Sequence, residues 1–199
     1  MASLKTLCRQ PVTSAFIGLL VAAALFTPVS AGLVHTDIEV DGNTYRYEFE
    51  AMIAAPLEAT HAVITDHEAL KHFNDGVLES DVLETYADGA LKRKLLVEQC
   101  VLVFCFDLRF IEKVEARGNQ QIVATIIPEE SNFRRGTATW MLEPIGKETT
   151  KLRVIAEQEP DFWIPPVIGP AVIKHVFREE IRETAENIES AAINRDFDG

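Results

Sequence analysis

Between residues 35 and 158 apolar and polar side chains alternate in short runs that are broken by turn residues. His35 to Val40 and Asn43 to Ile53 flank Asp41-Gly42, a strong hairpin signal. Tyr45, Tyr47 and Phe49 share one face of the second run and Arg46, Glu48 and Glu50 the other, which predicts a half-buried strand. Pro56 then opens a segment whose Leu57, Ala62, Val63, Leu70 and Phe73 suit one or two short helices. Further strands are predicted near 77–86, 90–99, 105–116, 120–128, 136–144 and 150–158, with turns at Asp88-Gly89, Gly118-Asn119 and Ile145-Gly146. Near the C-terminus the period changes to that of a helix, with Val172, Val176, Ile181, Ile188 and Ala192 on one stripe.

Parity holds through the later strands. Ile122, Ala124 and Ile126, then Ala138, Trp140 and Leu142, then Leu152, Val154 and Ala156 are apolar between largely polar neighbours. One face of an antiparallel sheet is therefore buried and the other wet. Only the last helix, five or six turns long, can cover that face. The predicted class is α+β, a curved antiparallel sheet around a long C-terminal helix, with a cavity wherever side chains do not fill the space between them. Parity assigns its sheet wall to Tyr47, Phe49, Phe106, Leu108, Phe110, Ile122, Ala124, Ala138, Trp140, Leu142 and Val154. The helix side adds Ile168, Val172 and Val176.

The first 31 residues change the setting. Lys5 and Arg9 precede an uncharged apolar run, followed by Pro28 and Val29-Ser30-Ala31, the layout of a secretory signal cleaved after Ala31. Residues 32–199 then form a single domain, exported and expected in the periplasm. An uncleaved inner-membrane anchor stays open, because the uncharged run continues to Val34.

Export removes Cys8 and leaves Cys100 and Cys105 in an oxidising compartment, where an even pair suggests a disulfide. In one straight strand residues five apart lie too far apart and on opposite faces, so the bond requires a chain reversal. The apolar positions switch from odd (Leu91, Leu95, Val97) to even (Phe104, Phe106, Leu108, Phe110) across this stretch. That places a turn or bulge between 98 and 104, satisfied by a four-residue loop Val101 to Phe104. Two reduced, buried cysteines flanking a bulge are the alternative.

The net charge is -12, and losing Lys5 and Arg9 makes it -14. So acidic a surface argues against nucleic acid and against electrostatic capture by anionic lipid. Membrane contact would have to be apolar and local.

Three segments carry a resemblance: AMIAAPLEATHAVITDHEALKHFND, PEESNFRRGTATWMLEPI and PDFWIPPVIGPAVIKHVFREEIRETAENIE. Over residues 35 to 192 the chain resembles the START-like or SRPBCC superfamily (helix-grip fold), near the polyketide cyclase/dehydrase and coenzyme Q-binding proteins. The resemblance implies a deep apolar cavity that holds a hydrophobic small molecule or lipid. It implies no particular ligand, because one fold serves carriers, receptors and enzymes.

Other segments suggest narrower roles. Phe162, Trp163 and Ile164 beside Pro165, Pro166 and Pro170 form either a rigid connection or an apolar lid and membrane-touching edge. Val101, Leu102, Val103 and Phe104 form a candidate second tip. Arg134 and Arg135 are candidate anion contacts, of which strand geometry lets at most one enter the cavity. His61, His67 and His72 lack the i, i+4 spacing of a metal site and read as solvated positions, as does His175. No cofactor or metal is expected. Catalysis lacks a nucleophile elbow or phosphate loop, so ligand binding by a monomer leads, ahead of a cyclase-like enzyme or a protein-interaction adaptor.

Overall fold

The computed structural model describes residues 32–72, 74–101, 103–164 and 168–196. The expected signal segment and Cys8 lie outside these residues, as do Phe73, Leu102, Pro165 and Pro166. The chain turns between β1 (Gly32–Asp41) and β2 (Thr44–Ile53) at Gly42-Asn43, one residue on from the expected Asp41-Gly42 because Asp41 still pairs with Thr44, and Gly42 takes a φ of 57° that side chains resist. Pro56 precedes α1 (Leu57–Ile64), and a single 3-10 turn follows at Leu70–His72. Six strands come next: β3 (Val77–Thr85), β4 (Leu91–Val101), β5 (Phe104–Arg117), β6 (Gln121–Ile126), β7 (Phe133–Pro144) and β8 (Thr150–Pro160). The chain closes with α2 (Pro170–Asp196).

All eight strands form one antiparallel sheet in the order β1-β2-β8-β7-β6-β5-β4-β3. Its buried face packs on α1 and α2 through a core that includes Ile53, Val63, Leu152, Val154 and Ile188. At 27 residues α2 is longer than the predicted five or six turns, about 40 Å, enough to run along the sheet. Polar ties fix its far end. The buried Glu189 carboxylate accepts the Ala54 N–H at 2.7 Å, and Arg195 pairs with Asp66 beyond α1. Nearby, the buried Thr150 hydroxyl donates to the Ala55 carbonyl at 2.9 Å.

The β4–β5 hairpin is tighter than the four-residue loop that the turn geometry suggested. Val101 pairs with Phe104, so only two residues connect the strands. In that register the odd positions of β4 face the even positions of β5: Leu95 opposes Phe110, Val97 opposes Leu108, and Gln99 opposes Phe106. The parity switch along the sequence is therefore the pairing rule of this hairpin, and no bulge is needed. Cys100 and Cys105 face each other on the outer surface and form a disulfide, with Cα atoms 4.0 Å apart. The bond closes a turn that lacks residues which favour turns.

Candidate functional site

Between the concave face of the sheet and α2 lies a cavity of about 340 Å³, walled almost entirely by apolar side chains. Tyr47 and Phe49 of β2, Phe106, Leu108 and Phe110 of β5, Ile122 and Ala124 of β6, Trp140 of β7 and Val154 of β8 line it, as do Ile168 and Val176. Three residues expected there do not. Leu142 is buried in the core and Ala138 packs against it. Val172 packs beside Tyr45, Val101, Ile168 and Ile173 instead. The helix stripe that meets the cavity runs Ile173, Val176, Phe177, Glu180, Ile181, Thr184 and Ile188, so Val172 falls one position off it.

That rotation also brings in Phe177, which parity in the strands had no means of finding. Its ring stacks on Tyr47 at 5.7 Å and meets Tyr45 edge-on at 6.2 Å. A second aromatic chain runs from Phe110 to Phe133 (4.4 Å), on to Phe162 (6.3 Å) and then to Phe106 (5.5 Å). Phe133 enters because β7 begins earlier than predicted. A register shift between Phe133 and Arg135 accompanies this start. Within β7, a Cβ at Gly136 would overlap Ile126 Cδ1, so a larger residue there would make the Ile126 side chain shift.

The two apolar segments at the cavity rim divide between inside and outside. Val101 is buried, and the half-buried Phe104 packs with it against the Tyr45 and Ile173 cluster. Phe162 and Ile164 also turn inward and line the cavity. Val101, Phe104, Phe162 and Ile164 are thus rim packing, not exposed contact residues. Val103, 86% exposed, and Trp163, 73% exposed, project into solvent.

Arg134 and Arg135 stay outside. The register shift turns both to the surface, where Arg134 pairs with Asp161 at 2.7 Å and Arg135 with Glu159 at 2.8 Å and with Glu157. Both guanidiniums are held above their ordinary range by these carboxylates. Neither is placed to contact a ligand in the cavity.

Among the described residues the wall carries two charged side chains, Arg93 and Glu180. Arg93 Nη2 donates to the buried Glu112 carboxylate at 2.7 Å, and Nη1 lies 3.2 Å from His67 Nδ1. His67 is buried, not solvated as its spacing suggested, and its backbone carbonyl accepts the Ser80 hydroxyl. Burial and the neighbouring Arg93 charge hold its imidazole down at about 4, so it is neutral and accepts from Arg93. Burial, then the nearby Glu112, pushes Tyr47 up to about 12, keeping its phenol protonated at the wall. Arg93 Nε is buried and has no hydrogen-bond partner. Glu180, on α2, accepts from Asn74 Nδ2 at 2.6 Å and Gln99 Nε2 at 3.4 Å. No spacing pattern joins Asn74, Arg93, Gln99 and Glu180 in the sequence. Only the closure of the sheet onto α2 does. Among the described residues no histidine lines the cavity, and no helix is long and apolar enough to cross a membrane.

A family model described as polyketide cyclase / dehydrase and lipid transport matches residues 53–189. No curated protein matches the chain. Among solved structures, a START superfamily protein from Mycobacterium smegmatis is similar with a TM-score of 0.59 and 21% identity, over 75% of this chain and 97% of that one. A protein from Thermus thermophilus superposes with a TM-score of 0.61 at 18% identity, over 75% of this chain and 98% of that one. The Zhui aromatase/cyclase of a Streptomyces species gives 0.55 at 12% identity, over 76% and 93%. At these identities the likeness is one of fold: the helix-grip arrangement of a curved antiparallel sheet around a long C-terminal helix.

Proposed function

The chain belongs to the polyketide cyclase/dehydrase and lipid transport family, and from this and its cavity we propose that it binds and carries a hydrophobic small molecule or lipid outside the cytoplasm. The observation that carries this reading is the apolar cavity itself. Its volume, about 340 Å³, lies at the small end of the range for sites that enclose one small molecule. Burying apolar ligand surface there contributes on the order of 25 cal/mol per Å². Binding therefore needs no catalytic constellation.

The Cys100–Cys105 disulfide supports an exported protein, since such bonds persist in oxidising compartments. Transfer to or from a bilayer fits the rim, where Val103 and Trp163 stand out from an acidic body beside inward-facing Phe104, Phe162 and Ile164. A contact of this kind needs no cationic surface.

Binding is tested with a neutral apolar fluorophore such as 1-aminoanthracene. Its emission should rise on binding, and Val176→Trp, which fills the cavity from α2, should weaken uptake about tenfold or more without lowering the melting temperature. Unchanged uptake by the filled variant would refute the site. Turnover of a polyketide-like substrate with loss of water would move the assignment to the cyclase branch of the family.

A further inference from the structure

Of the two charges in the wall, one is neutralised where it sits and the other is not. Arg93 is paired with the buried Glu112 at 2.7 Å and is also held by His67. Its remaining Nε is covered by protein. Glu180 is held only by neutral amides, Asn74 Nδ2 at 2.6 Å and Gln99 Nε2 at 3.4 Å, and no cation among the described residues pairs with it. Thr184 lies one turn further along the same face of α2, also on the wall. The result is a polar patch on a mostly apolar wall that, unlike Arg93 with its Glu112 partner, carries a negative charge with no cation paired to it among the described residues.

Resting on the binding role proposed above, we infer that Glu180, positioned by Asn74 and Gln99, sets the ligand class: an apolar molecule whose one polar end is neutral or cationic and donates a hydrogen bond, such as a hydroxyl or an ammonium. The carboxylate accepts that donor, and a charge-assisted bond of this kind is stronger than a neutral one. A carboxylate or phosphate head would instead set two negative charges side by side at this half-buried position. The acidic molecule as a whole adds to that exclusion, with a net charge of -12. Glu180 thus selects against fatty acids, whose chains match the apolar wall as well as those of alcohols and amines do.

The test is displacement of 1-aminoanthracene from the full protein at pH 8 by dodecan-1-ol, dodecylamine and dodecanoate, which share one chain and differ in the head. The alcohol and the amine should compete at concentrations about tenfold or more below the acid. Glu180→Gln should close most of that gap by improving the acid. Gln99→Lys, which supplies a cation beside Glu180, should act in the same direction and serves as the second variant if Glu180→Gln folds poorly. Acid competing as well as alcohol overturns the inference, as does a gap unchanged in both variants. Failure of the fluorophore and of all three compounds to bind overturns the binding role itself, and this inference with it.

Discussion

Arg93, Glu112 and His67 form a buried polar cluster whose members depend on one another. A buried ion pair is costly to break from one side, because the remaining charge keeps its burial and loses its partner. Glu112→Ala should therefore lower stability by about 3 to 5 kcal/mol in urea unfolding, and Arg93→Leu combined with Glu112→Leu by less. A double variant worse than the single would contradict the pairing. His67 adds a pH dependence. The unfolded imidazole takes its proton below about pH 6.5 and the folded one only below about 4, so between these values the unfolded state binds more protons. Its contribution is complete above about pH 6.5 and is lost as the pH falls towards 4, about 2 kcal/mol once screening is allowed for. Between pH 7 and pH 4.5 the wild type should lose that much more stability than His67→Asn, and equal losses would show that His67 is not responsible. None of this was legible from residue spacing. Three histidines within twelve positions read as solvated, whereas burial by β3 and β4 decides the outcome for His67.

At the scale of elements, the disulfide-closed β4–β5 hairpin links stability to the cavity rim. Val101 and Phe104, the last paired residues, pack against Tyr45 and Ile173 immediately inside the cysteines. Replacing Cys100 and Cys105 by Ser should cost about 2 kcal/mol for so short a loop, and should weaken fluorophore binding through the loosened rim. A variant that unfolds more easily and binds equally well would separate the disulfide from the cavity. The exposed Trp163 offers a second readout. In a Trp140→Phe background its emission should shift to the blue on adding phosphatidylcholine vesicles, and an unshifted spectrum would remove the membrane contact from the account. The strands were legible because alternation and turn residues are local signals: Gly42, Asp88-Gly89 and Gly118-Asn119 all sit in turns between paired strands. The rotation of α2 was not. A stripe starting at Val172 and one starting at Ile173 both look amphipathic, and only the facing sheet chooses between them.

At the scale of the molecule, a sheet curved around one long helix leaves space where the two diverge, and parity identifies which strand residues face that space. It does not say which of them meet the helix. Leu142 and Val154 have the same parity on neighbouring strands and both are buried in the core, yet only Val154 also meets the cavity, because helix and loop positions distant in the sequence close on them differently. The polar patch at Glu180 depends in the same way on Asn74, before β3, and Gln99, on β4, meeting a helix residue 106 and 81 positions further on. Native mass spectrometry of the protein, purified from an exporting host without detergent, tests the central claim most directly. The account predicts a one-to-one adduct of a small apolar molecule, released on mild activation and absent from Val176→Trp. A protein that arrives empty, and stays empty when alcohols, amines and lipids are offered, would contradict it.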